Sequence, residues 1–159
     1  MNPFDNIGTA RVSGAVYDRM CRIAMGYQSL DDESDIVVRN TSEDDRVLRR
    51  RAVAVTRGTR NHPDVRVGSS VRGAIDLVEV GHALALMRSA QVTDPSVGLD
   101  AALTALSGRI RLHEGGSSTP ESVITDLWDA VLAQERPRDD DDSSSGKATA
   151  PDGATPASP

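Results

Sequence analysis

The stretch 59–77, TRNHPDVRVGSSVRGAIDL, decides how the rest of the chain is read. A polar lead-in punctuated by Pro63 and Gly68 gives way at Ser69-Ser70 to a long apolar-periodic run. Serine before such a run is a helix-start signal, because its hydroxyl accepts a hydrogen bond from an N–H group that the first turn leaves without a partner. Either Ser69 or Ser70 can fill that position. With Ser70 as the cap, Arg72 falls in the first turn, where a cation meets the partial positive charge of the helix N-terminus. That misplacement has a use if an anion sits there, since free N–H groups and a guanidinium together make a phosphate site. The competing reading is a pair between Arg72 and Asp76 within the helix. In this base-before-acid order such a pair stabilises a helix by only about 0.2–0.5 kcal/mol.

The helix that follows is predicted over 71–87. Arg72, Asp76, Glu79 and Ala83 share one face, while Val71, Ile75, Val78, Leu84 and Leu86 supply apolar surface elsewhere. So narrow a polar face predicts burial on several sides. His82 reads as a packed histidine, because no second ligand stands four residues on, and His62 and His113 are isolated in loops. No metal site is read. Asp94 before Pro95 opens the next helix as a cap followed by a first-turn proline, with Ala101, Ala102, Leu103 and Leu106 on its apolar face. Ser117-Ser118-Thr119-Pro120-Glu121 opens the last helix, whose stripe is Val123, Ile124, Leu127, Trp128, Val131 and Leu132.

Upstream, 29–38 reads as a helix with acids in its first turn, which suits the helix dipole. Ser42-Glu43-Asp44-Asp45 opens another, with Asp45 in the third helical position as a capping-box variant. Val47, Leu48, Ala52 and Val55 recur at helical spacing, and Arg49, Arg50 and Arg51 form a solvated face paired with the preceding acids. Before these, Ser13 can cap a short helix through Val16, Tyr17 and Met20, and 22–27, RIAMGY, reads as a short strand.

Composition narrows the function classes. Aromatics are 3% of the chain, so the core is built from Ala, Val, Leu and Ile. The formal net charge of −6 argues against a dedicated nucleic-acid binder, which would carry a basic field. A lone Cys21 excludes an intrachain disulfide framework and fits a reducing cytoplasm. No apolar run approaches a membrane span and no secretory signal pattern opens the chain, so a cytoplasmic location is expected. From Pro137 onward the periodicity disappears, and 137–159 is expected to be a disordered acidic, Ser- and Pro-rich tail. Ser145-Gly146-Lys147-Ala148 echoes a phosphate loop falsely: Asp141 stands where its first glycine belongs and Ala148 where a hydroxyl would reach magnesium.

Two stretches resemble MoxR-type AAA+ ATPases. The run GSSVRGAIDL, preceded by TRNHPDVRV, resembles the segment of the lid that carries the sensor 2 arginine, and Arg72 matches that arginine. Val71 stands where the family usually has proline. The run NPFDNIGTARVSGAVYDRMCRIAMGYQS resembles the end of the ATPase core. There Asn2 matches the sensor 1 asparagine, Arg19 the arginine finger, and Gln28 replaces the proline that usually follows Gly-Tyr. Gly108-Arg109-Ile110-Arg111-Leu112 resembles the basic segment that ends many such lids. Without the resemblance, Asn before Pro is an ordinary turn opener and Arg19 beside Asp18 an ordinary surface residue.

The resemblance implies a mainly α chain in three parts: a small α/β remnant of the core over 1–28, a helical lid over 29–136, and the tail. It implies catalytic roles for Asn2 and Arg19 and nucleotide binding for Arg72, with ATP and Mg as cofactors of a longer parent. An arginine finger neutralises charge on the transferring phosphoryl group, here on a neighbouring subunit's nucleotide. Implied partners are the missing ATPase core, neighbouring subunits of a ring, and a von Willebrand A-type protein. Neither a Walker A run nor an acidic Walker B strand occurs in the sequence, so this chain alone is expected to bind none of these cofactors and to hydrolyse no ATP. On this reading Met1 is an internal methionine of a longer protein. The alternative is a stand-alone helical interaction module without ATPase activity.

Overall fold

Helix α1, Leu30–Asn40, begins where Ser29 Oγ accepts the Asp32 N–H at 3.1 Å, and three acids occupy its first turn. The computed structural model describes residues 15, 18–21, 23–41 and 45–135. Helix α2 spans Arg46–Asn61. Asp45 is its N-cap, accepting the Leu48 N–H at 2.7 Å, rather than its third residue as the capping-box reading had it. Asp45 stands three residues nearer the helix than Ser42, and an aspartate caps as well as a serine.

The strand β1, Val65–Val67, follows, then helix α3, Val71–Arg88, helix α4, Pro95–Leu106, the strand β2, Arg111–Leu112, and helix α5, Pro120–Glu135. Among the described residues the chain is mainly helical, as the periodic runs predict. The two strands pair antiparallel, Val65 opposite Leu112 and Val67 opposite Arg111, with an irregularity between. They were not legible beforehand, since two or three residues carry no alternation to read. None of the described helices is long and apolar enough to cross a membrane.

Helix α3 is the centre. It packs on α4 most extensively, then on α2, and also on α1, while α5 closes the other side of α2 and α4. Gly73, Ala74, Leu77, Val78, Gly81 and Ala85 are its buried residues. This is the burial on several sides that its narrow polar face predicts, achieved with small residues that let neighbouring helices approach. Leu86 departs from that expectation: it is exposed beside Met87, on the outward side of a turn whose Ala85 is buried. Leu48, Leu77, Leu106, Ile110, Ile124 and Trp128 fill the core. Gly98 on α4 lies flat against the Trp128 indole, where even one added methyl would overlap the ring.

Three further expectations are corrected. Residues 23–27 form no strand; Ile23, Met25 and Tyr27 are exposed, and the strands present among the described residues pair only with each other. A strand without a neighbour leaves its backbone groups without ladder partners, so alternation alone does not create one. Of the predicted helix through Met20, Ala15 is helical, while Asp18, Arg19 and Met20 lie in a turn and bend. Of the three consecutive arginines of α2, Arg50 and Arg51 turn away from the acids before them. Arg50 and Arg51 both bind Glu135 at the end of α5, at 2.8 and 2.7 Å, and Arg49 donates to Thr41 Oγ1 at 3.1 Å. The tail 137–159 lies outside the described residues.

Burial raises the Glu135 pKa, but the hydrogen bonds from Arg51 and Arg50 outweigh it and hold the carboxyl below its ordinary 4.5. A carboxylate depressed on folding contributes stability above its unfolded pKa and loses it as pH falls through the folded one. Glu135→Gln should therefore be less stable than the parent at pH 7. The two denaturation midpoints should converge as acid takes the pH from the ordinary 4.5 down through the lower folded value, and an unchanged gap at acid pH would contradict this role for the ion pair.

Candidate functional site

The start of α3 is held from behind by α2. Ser69 donates its N–H to Thr59 Oγ1 at 3.0 Å, and its carbonyl accepts Arg60 Nε at 2.7 Å. Thr59 in turn donates to the Thr56 carbonyl at 2.6 Å. Gly68 allows this approach, because a Cβ there would stand 2.7 Å from Arg60 Cα. Ser69 is buried and Ser70 takes the N-cap position in extended conformation.

The capping expectation fails in its detail. Neither serine hydroxyl caps the helix: Ser70 makes no side-chain cap bond, and Ser69 Oγ donates to the Ser70 carbonyl at 3.2 Å. The Gly73 N–H returns to the Ser70 carbonyl at 2.9 Å. The first turn of α3 is thus left without a side-chain acceptor, and it contains no acid. Arg72 sits there exposed to solvent.

The intrahelical pair between Arg72 and Asp76 does not form. Asp76 is taken by Arg109 Nη2 from the turn after α4, and Arg109 Nε also donates to the Ala105 carbonyl at 3.0 Å. Arg72 has no ion pair among the described residues. One turn along α3, Asp76, Glu79, Thr104 and Arg109 rim an open depression of about 440 Å³ between α3 and α4. The basic segment 108–112 thereby acquires a structural task, binding the acid one helical turn from Arg72 in sequence.

Behind this terminus lies a charge cluster that sequence reasoning missed. Glu33 of α1 is 1% exposed. Arg57 Nη1 binds its Oε2 at 2.8 Å, and Arg60 Nη1 stands 2.8 Å from Oε1. Arg60 is also stacked over the Tyr27 ring, 3.9 Å from its centroid, and Arg57 donates to the Gln28 carbonyl at 3.1 Å. The cluster therefore joins the segment before α1, α1 itself and the start of α3. Its signal was present: Arg57 and Arg60 are one turn apart on one face of α2. Glu33 was read only as one of several dipole-compensating acids.

Asn2 lies outside the described residues. Arg19 is exposed in its turn, and no hydrogen bond or ion pair joins it to Arg72. His82 is half-buried with an unpartnered Nε2, His62 accepts the Asp64 N–H through Nδ1 at 3.2 Å, and the His113 N–H extends the β1–β2 pairing to the Asp64 carbonyl at 2.9 Å. Arg72 is the predicted residue whose surroundings bear on chemistry: an exposed guanidinium on an uncapped helix N-terminus, with the nearby acid neutralised elsewhere.

No protein-family model matches the chain. No solved structure matches it. Among curated proteins, the chain is 26% identical over 163 residues to "Uncharacterized protein YeaC" of Bacillus subtilis (strain 168), an alignment covering 82% of this chain and 50% of that protein. The chain thus spans about half the length of the curated relative it matches.

Proposed function

We propose that this chain is the C-terminal portion of a MoxR-type AAA+ ATPase, a helical lid whose Arg72 meets the phosphates of ATP bound by the parent's core. The observation that carries the reading is the state of Arg72, exposed and unpaired among the described residues at the uncapped start of the 18-residue α3. An arginine left so on a helix N-terminus opposes the dipole unless an anion joins it. Asp76 is held by Arg109 and does not compete for it. Arg72 acts on its own subunit's nucleotide and couples hydrolysis to lid movement. Arg19 acts on a neighbour's, with Asn2 as sensor 1. The parent is a cytoplasmic, ring-forming, chaperone-like remodeller that uses ATP and Mg, with a von Willebrand A-type protein among its partners.

The DNA upstream of Met1 tests the reading directly. An in-frame G-x-x-x-x-G-K-[ST] followed by an acidic strand is expected. A stop codon and promoter at Met1 would instead favour the stand-alone helical interaction module. In the complete protein, Arg72→Ala should lower ATP turnover about tenfold, a loss of about 1.4 kcal/mol in transition-state stabilisation. The helical circular dichroism should be unaffected, because the side chain is exposed. Unchanged turnover in a ring of normal assembly would remove Arg72 from the nucleotide site.

A further inference from the structure

Helices α1 and α2 leave an open groove of about 590 Å³ between them. Leu30, Val38, Val53 and Ala54 supply its apolar surface, and Arg46 and Arg50 stand along its α2 wall with Arg49 between them. Leu30 and Val38 remain 53% and 51% exposed. Arg46 is exposed with no ion pair among the described residues, and the Arg50 side chain is 69% exposed although it reaches Glu135. Arg49 is already engaged, holding Thr41. Among the described residues Asp31 is the one carboxylate lining the groove, on the α1 side, and the basic wall belongs to α2.

A second depression, of about 410 Å³, continues the first. Arg50 and Ala54 line both, and Val131, Gln134 and Glu135 of α5 form its far side. The end of α5 is therefore anchored at the groove by the bonds from Arg50 and Arg51 to Glu135. The sequence then runs on from that point to Pro159, with aspartate at each of positions 139 to 142. From Glu135 to Asp139 an extended chain covers about 13 Å. Arg50 and Arg46 are one helical turn apart, about 6 Å. The acidic run begins within reach of the basic wall.

The geometry points to this groove as the docking surface for the chain's own aspartate run, residues 139–142, seated on Arg46 and Arg50. Charge complementarity and the place where α5 ends select this occupant over a second copy of the chain or an acidic segment of another protein. Single exposed ion pairs stabilise weakly and are screened by salt. Tethering compensates, because a run attached a few residues away is present at an effective concentration in the millimolar range, about mM.

The test compares the full chain with its Asp139→Asn, Asp140→Asn, Asp141→Asn, Asp142→Asn variant by two-dimensional NMR, at about 20 mM and about 500 mM salt. At low salt the variant should shift the Arg46 and Arg50 side-chain resonances and the amides facing the groove, by the same amount at every protein concentration. At high salt the two spectra should coincide over α1 and α2. Arg46→Glu in the otherwise unchanged chain should reproduce the low-salt shifts on the α1 side without disturbing the Glu135 pairs. Differences confined to the last turn of α5 would overturn the proposal. So would shifts that grow with protein concentration, which assign the acids to a second copy. An acidic, leucine-bearing peptide that shifts the groove resonances equally in the unchanged chain and the variant would assign the groove to a partner and overturn self-docking.

Discussion

Trp128→Ala should destabilise the helical body by about 3–5 kcal/mol, the range for truncating a fully buried aromatic residue. Trp128 is 1% exposed and is the largest side chain wholly within the core. Its ring lies against Gly98 of α4, and that glycine cannot fill the space the ring would vacate. The cavity would open where α5 meets α4, so the last helix should loosen first. Trp128→Phe separates packing from polarity. The indole Nε1 is buried without a hydrogen-bond partner, and a buried unsatisfied donor costs about 1–3 kcal/mol. Phenylalanine gives up part of the ring volume but removes that donor, so it should retain most of the stability that alanine loses. Urea denaturation of the three proteins checks both statements. Equal losses for alanine and phenylalanine would mean that the packing against Gly98 is not what the ring contributes.

Glu33→Ala should cost a comparable amount, about 3–5 kcal/mol, through a different cause. It removes the buried carboxylate that faces Arg60, whose side chain is 8% exposed, and Arg57, which is 34% exposed. The larger share of the loss belongs to Arg60. Its charge would remain buried, and its Nη2 already lacks a partner. Arg57 can turn to solvent. Arg60→Ala should also be destabilising, because it frees the Ser69 carbonyl and Tyr27 as well as Glu33. The double variant should be less damaged than the sum of the two, since neither charge is then left alone. Strict additivity in denaturation experiments would show that Glu33 and Arg60 are not coupled. Amide exchange should locate the effect of Glu33→Ala at the start of α3 as well as in α1, because Arg60 holds Ser69.

Both variants turn on contacts between helices, and this is where the sequence stops being legible. Local signals are carried by neighbours along the chain. Asp94 caps its helix as read, and Pro95 occupies the first turn of α4, because each needs only residues within one turn. The apolar stripe of α5 was readable for the same reason, and Val123, Ile124 and Trp128 are buried. The acid before α2 was assigned one turn too deep, as several acidic residues in a row offer equivalent caps.

Partner choice among charged residues was not readable, because any exposed arginine can meet any exposed acid until the helices are packed. Asp76 looks like Arg72's partner along α3, yet the turn after α4 delivers Arg109 to it. Arg50 and Arg51 look toward the acids upstream, yet α5 brings Glu135 to them. Glu33 looks like a dipole acid at a helix start, yet the crossing of α1 on α2 buries it between two guanidinium groups. By itself the sequence determined the helical class, the approximate extent of the helices and the place of Arg72 at the start of the central one, since hydrophobic period and capping are local properties. Tertiary structure alone decided that Arg72 keeps no intramolecular ion pair among the described residues and that Ser69 is fixed from α2. Those outcomes depend on which side chains the packing of distant segments brings within hydrogen-bond reach.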